Sequence, residues 1–189
     1  MARIIKVAGL DMTMANTGAV RFALDLDTLD LSVEKLVIIS TEKAGVKKSV
    51  RASSDRLRRA VEVKECVFDV VEGCTFVFSE VPTGSQSSSA AWSFGIAIGI
   101  MACLPVPMIQ VQPDETKMAS VGKKTATKAQ MIEWAHALYP AAAWIRAHGK
   151  PAGALVLANE HGADACAVVH AGMRTEEFKR ARAMIMSVE

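Results

Sequence analysis

Four side chains able to hold a divalent cation are spread along the chain: Asp11, Glu80, His161 and Asp164. Asp11 ends the apolar run Ile4-Ile5-Lys6-Val7-Ala8-Gly9-Leu10, and Glu80 ends a second, Phe76-Val77-Phe78-Ser79, with Pro82 just beyond. His161 and Asp164 stand three residues apart where a helical segment starts, so both side chains point to one side. Open α/β sheets place ligands in the crevice at the carboxyl ends of their strands. If the two strands are neighbours and the helix packs beside them, these groups form one acidic pocket. Such a pocket suits Mg²⁺ or Mn²⁺ and the hydrolysis of phosphodiesters, with two ions per site serving the attacking water and the leaving oxygen. Asp11 is then the natural bridging ligand, with Glu80 and Asp164 on opposite sides. His161 either adds a nitrogen ligand, which favours Mn²⁺, or orients the water as a general base. Taken singly, Asp11 also fits a turn, Glu80 a strand end and His161 a helix surface. Asp164 is harder to dismiss, because it opens the run Ala165-Cys166-Ala167-Val168-Val169, where an unpaired carboxylate is costly to bury.

The elements that must position these groups begin with a three-stranded meander: Ile4–Asp11, then Ala19–Leu26 after the turn residues Asn16-Thr17-Gly18, then Leu36–Ser40. Apolar positions Leu57, Val61, Val67, Phe68 and Val71 predict a helix over 53–72, capped by Ser53 or Ser54 and closed by Gly73. A strand at Phe76–Glu80, a polar loop Pro82–Ser89, a helix near Ala90–Cys103 and a strand at Met108–Gln112 follow. Two helical pieces broken at Gly122 lie between Asp114 and Tyr139, the stretch 140–158 has no clear assignment, and helices near 160–172 and 175–187 finish the chain. This order predicts one α/β domain, 1–189, with a sheet of mixed direction.

With 51% hydrophobic and 22% charged residues over 189 positions, the chain has the makings of a packed core rather than disorder. The net charge of +2 is small, but Lys43, Lys47, Lys48, Arg51, Arg56, Arg58, Arg59 and Lys64 are offset only by Asp55 and Glu62, while 66–113 holds no Lys or Arg. Such concentration is either the footprint of a polyanion or a solvated helix face. Cys66, Cys74, Cys103 and Cys166 lack metal-ligand spacing and read as buried, reduced thiols of a cytoplasmic protein. No signal peptide is expected, because a strand pattern starts by Ile4. The uncharged stretch 90–109 contains Gly95, Gly99, Pro105 and Pro107, which fits a helix, turn and strand better than a membrane span. Gly95-x-x-x-Gly99, beside Trp92, Phe94 and Ile98, permits close helix approach, either within the chain or across a two-fold dimer.

Four blocks occur in a telling order. They are Gly9-Leu10-Asp11 with Asn16-Thr17-Gly18; Glu80-Val81-Pro82 with Gly95 and Gly99 beyond; Pro113-Asp114-Glu115-Thr116-Lys117 with Gly122 and Ala126 to Met131; and His161-Gly162-Ala163-Asp164-Ala165. Together they resemble the RuvC-type Holliday junction resolvases over about residues 3 to 172. The resemblance implies an RNase H-like fold, a mixed β-sheet flanked by helices, in a homodimer that nicks a four-way DNA junction symmetrically. It implies that Asp11, Glu80, His161 and Asp164 hold the metals and that Lys117 and Lys128 approach the scissile phosphate. DNA contacts are then expected from Lys47, Lys48, Arg51, Arg56, Arg58, Arg59, Lys123 and Lys124, with Ser85 and Gln86 in the loop after Glu80. Neither a small-molecule cofactor nor a membrane partner is expected. Departures stand out: Met12-Thr13 replaces the family's frequent Pro-Gly, the loop after Glu80 lacks an aromatic wedge, and 140–158 is long. These are compatible with a phage or mobile-element member. They keep two alternatives open, a looser nuclease on forks, flaps or single strands, and a branched-DNA-binding module without turnover.

Overall fold

Residues 3–41, 51–84, 87–150 and 153–188 are described in the computed structural model. Strands β1 (Ile4–Met12), β2 (Asn16–Asp25) and β3 (Leu31–Ser40) form the expected meander, each antiparallel to the next, but Asn16-Thr17-Gly18, expected as the turn, open β2, and β3 starts at Leu31 rather than Leu36. Thr13 closes the β1–β2 turn: its hydroxyl donates to the Asn16 carbonyl at 2.6 Å and accepts from the Asn16 amide at 2.9 Å. Strand β4 (Phe76–Glu80) then pairs parallel to β1, and β5 (Met108–Val111) parallel to β4, giving the order β3-β2-β1-β4-β5. The register sets Gly9 beside Phe78 and Leu10 beside Ser79, so Asp11 and Glu80 are the next residues on adjacent central strands. Both acids therefore sit at the same carboxyl edge.

Period-two alternation divides the core into two layers. Ala8, Leu10 and Val77 pack against α1 (Ala52–Val71) and α2 (Ser88–Ala102). Val7, Val20, Phe22 and Phe78 pack on the other face against α3 (Pro113–Ser120), α4 (Lys128–Leu138), α5 (Asn159–Gly172) and α6 (Glu176–Ser187). Asp11, two residues beyond Gly9 and four beyond Val7, shares that second face. Helix α5 lies directly on β1 and β2 because glycine faces it: a Cβ at Gly9 would collide with the Ala165 carbonyl, and one at Gly18 with the carbonyl of His161. The close seat of α5 is thus written into two residues of the sheet.

Several expectations need correcting. The buried stripe of α1 runs through Val63, Val67, Val70 and Val71, while Leu57 and Val61 are 65% and 41% exposed. Its N-cap is Arg51, without a side-chain hydrogen bond, rather than Ser53 or Ser54. Gly73, at φ +74°, does end it. Gly95 and Gly99 face open space, so no close helix approach within the described chain explains them. Cys74 and Cys166 are buried as expected, but Cys103 is exposed and Cys66 half-buried; all four are free thiols. The unassigned stretch is anchored by Trp144, which is buried and donates its indole N–H to the Tyr139 carbonyl at 2.8 Å, and by an antiparallel bridge between Arg146 and Leu155. Among the described residues no helix is long and apolar enough to cross a membrane.

Candidate active site

Helix α5 begins where the stretch before it is tied down. The wholly buried side chain of Asn159 accepts from the Ile145 amide at 2.9 Å and donates to the carbonyls of Ile145 and Val156 at 2.7 and 2.9 Å. The next two residues, Glu160 and His161, are thereby aimed over the carboxyl edge of β1. His161 Nδ1 lies 2.6 Å from Asp11 Oδ2, and its Nε2 lies 3.5 Å from Glu160 Oε1, so the imidazole is bracketed by two carboxylates. The hydrogen bond that the imidazole donates to the Asp11 carboxylate raises the His161 pKa above its ordinary value, against the opposing effect of burial.

Asp164 lies one turn further along α5 and is largely enclosed. Burial, then the charges of Asp11 and Glu80, push its carboxyl up to about 7, with His161 alone among the named neighbours acting the other way. Burial also raises Glu80; a side-chain hydrogen bond from Thr116 and the charge of Lys117 oppose that shift, and Asp11 adds to it. Thr116 and Lys117 are presented by α3, which is started by Pro113 and a capping box between Gln112 and Glu115. Lys128 is the first residue of α4, whose own capping box joins Thr127 and Gln130. Its ammonium reaches Glu160 Oε2 at 2.7 Å.

The structure therefore brings together Asp11, Glu80, His161 and Asp164, with Lys117 and Lys128 at the rim. Glu160 and Thr116 belong to the same cluster and were not singled out from the sequence. Glu160 had one available signal, its place directly before His161, but a carboxylate in the first turn of a helix has an ordinary explanation in the helix dipole. Thr116 comes near Glu80 only through the packing of α3 on α5. Among the described residues, no three acid, imidazole or thiol groups already stand as a ligand set, and His161 occupies Asp11. The donor chemistry nonetheless fits a hard divalent cation: carboxylate oxygens in excess and one imidazole, with Glu80 and Asp164 raised first by burial and then by the charge of neighbouring acids.

The basic candidates scatter. Arg59 is only 8% exposed and donates to Thr41 Oγ1 at 2.9 Å and to the Met14 carbonyl at 3.0 Å, which removes it from the DNA-contact set: it locks α1 to the end of the sheet. Arg58 is exposed but paired with Asp55 and Glu62, each at 2.9 Å. Lys124 pairs with Asp114 at 2.9 Å. Arg56 lies over the Trp92 ring, 4.9 Å from its centroid, and Arg51 and Lys123 are exposed. Lys47, Lys48, Ser85 and Gln86 lie outside the described residues.

No protein-family model matches the chain, and no curated protein matches its sequence. Solved structures do match. The chain is similar to RuvC of Thermus thermophilus in complex with a Holliday junction substrate, with a TM-score of 0.62 and 18% identity over 95% of this chain and 96% of that one. A second Thermus thermophilus RuvC structure gives a TM-score of 0.56 at 18% identity, covering 96% of each chain. The fold is RuvC-like, the RNase H-like α/β arrangement that the four sequence blocks imply.

Proposed function

We propose that the protein is a divalent-metal-dependent endonuclease that nicks branched DNA, a Holliday junction resolvase. The observation that carries this reading is the convergence of Asp11, Glu80, His161 and Asp164 at one carboxyl edge of a RuvC-like sheet, with lysines on the rim. A pure DNA binder gains nothing from such a cluster, because unneutralised carboxylates repel phosphate.

Asp11, Glu80, Asp164 and His161 would hold Mg²⁺ or Mn²⁺, two ions per site. When bound, these supply Lewis-acid stabilisation of the attacking water and the departing alkoxide. The rest falls to the chain. Water oxygen attacks phosphorus, the ester bond to the leaving sugar oxygen breaks, and the proton lost by water must find a base. His161, its Nδ1 held by Asp11, presents Nε2 as that base or as a nitrogen ligand. Lys117 and Lys128 offset phosphate charge. DNA is steered by the exposed Arg51 and Arg56 with Lys123 and Lys124, together with Lys47, Lys48, Ser85 and Gln86. Work in the cytoplasm fits its four free cysteines.

Two symmetric nicks need two sites, which a homodimer supplies. The groove between α1 and α2 is the surface assigned to the second copy. It is a cavity of about 330 Å³ lined by Leu57, Val61, Phe68, Gly95, Gly99 and Ile100, and it is apolar almost throughout.

Cleavage of labelled four-way junction, fork and plain duplex in Mg²⁺, Mn²⁺ and EDTA, with wild type beside Asp11→Asn, tests the reading. Metal-dependent junction cutting, absent in the variant, is the expected result. Unpaired cutting of forks and single strands would replace it with a looser structure-selective nuclease, and binding without cutting in either metal would leave a non-catalytic module.

A further inference from the structure

The least explained contact at the site is the ion pair between Lys128 and Glu160. Lys128 Nζ lies 2.7 Å from Glu160 Oε2, yet the two partners differ sharply in access: the lysine side chain is 67% exposed and the glutamate 13%. The ammonium is therefore open to solvent on the side away from the carboxylate. The backbone of Lys128 is fixed by the Thr127–Gln130 capping box, while its four-carbon stem remains free to swing. After Glu160, the ammonium also feels the charges of Asp164 and Asp11.

We infer that Glu160 is a positioning residue that acts as a stand-in for a DNA phosphate on Lys128. Without DNA, its carboxylate holds the ammonium at the rim of the site. An arriving phosphate takes the ammonium over, because a lysine–carboxylate pair this open to water is weak and a phosphate offers a better-matched anion. Glu160 is then released from the ammonium and stays beside His161, its other oxygen 3.5 Å from Nε2. The exchange keeps Lys128 from collapsing onto Asp11 or Asp164, and it couples the arrival of DNA to the surroundings of the imidazole. This inference rests on the nuclease reading above.

The test is equilibrium binding of a fluorescent four-way junction, followed by anisotropy in EDTA so that no turnover enters. Four proteins are compared: wild type, Glu160→Gln, Lys128→Ala and the double variant, each checked for folding by a thermal melt. Freed from its stand-in, Lys128 should bind DNA tighter, and Glu160→Gln should lower Kd about five-fold, the size expected of one exposed charge contact. In the Lys128→Ala background the same substitution should change Kd little, because there is no ammonium to release. An equal gain in both backgrounds would mean that Glu160 merely repels DNA, and no gain in either would mean that the pair is only structural; each result overturns the inference. If Glu160→Gln melts too low to assay, Glu160→Ala allows the same four-way comparison. A wild type that binds no DNA defeats the nuclease reading and this inference with it. A wild type that binds and cuts, with Glu160→Gln no tighter, defeats the inference alone.

Discussion

Asp164→Asn should stabilise the metal-free protein while destroying its activity. The unfolded carboxyl ionises near its ordinary value of 3.8, whereas in the folded protein burial beside Asp11 and Glu80 holds it up to about 7. An acid whose folded pKa is raised favours the folded state at low pH and loses that advantage as pH climbs from the unfolded value through the folded one. At pH 8 the full penalty is present, and three units at ~1.4 kcal/mol each come to about 4 kcal/mol. Asparagine keeps the shape and removes the charge. Urea unfolding in EDTA at pH 8 should therefore show a variant more stable than wild type by about 2–4 kcal/mol, the lower end allowing for the relaxation of neighbours. The gain should shrink as pH falls toward 4. Added Mg²⁺ should raise the Tm of wild type and leave that of the variant nearly unchanged, since a ligand stabilises only the state that binds it. A variant no more stable than wild type at pH 8, or one equally stabilised by Mg²⁺, would refute the reasoning.

Other outcomes follow from the same geometry. His170 donates to or accepts from the Tyr139 hydroxyl at 2.7 Å and is held neutral, its pKa lowered to about 4 chiefly by burial and then by Arg174. Its contribution is complete above pH 6.5 and lost as pH falls toward 4, by about 3 kcal/mol, so His170→Gln should flatten the acid limb of the stability curve relative to wild type in parallel urea titrations. Arg59→Ala strips the donors from Thr41 and Met14 and should cost about 1–3 kcal/mol of stability with DNA affinity unchanged, whereas Arg56→Ala should leave stability intact and lower the salt slope of junction binding by about one; the reverse pattern would exchange their roles. Gly99→Leu fills the open α1–α2 groove and should shift the protein to monomer in analytical ultracentrifugation without lowering its Tm; an unchanged dimer places the interface elsewhere.

Much of the scaffold was legible because apolar runs broken by charge are strong signals. Asp11 and Glu80 could be read as strand ends, and the sheet brought them side by side. Helix order came through as well, apart from small shifts at the ends. What sequence reading missed depended on direction within an element. In α1, Leu57 and Val61 drew attention as an apolar series, yet the face that packs is Arg59, Val63, Val67 and Val70, spaced four, four and three. That stripe was visible in the sequence, and its leading arginine disguised it. Asn159, Thr116 and Glu160 were not legible, because their partners Ile145, Glu80 and Lys128 are brought to them only by the packing of α3, α4 and α5 over the sheet. Gly9 and Gly18 fall between: each sat in a recognised block, but their purpose, seating α5 so that His161 meets Asp11, needed the third dimension.

The most direct test of the central claim is to map cut ends at nucleotide resolution on each strand of a labelled four-way junction in Mn²⁺. The account predicts paired nicks at symmetry-related positions on two opposing strands with wild type, and none with Asp164→Asn, although that variant is folded and more stable. A folded wild type that leaves every strand intact, or a variant that cuts as well as wild type, would contradict it.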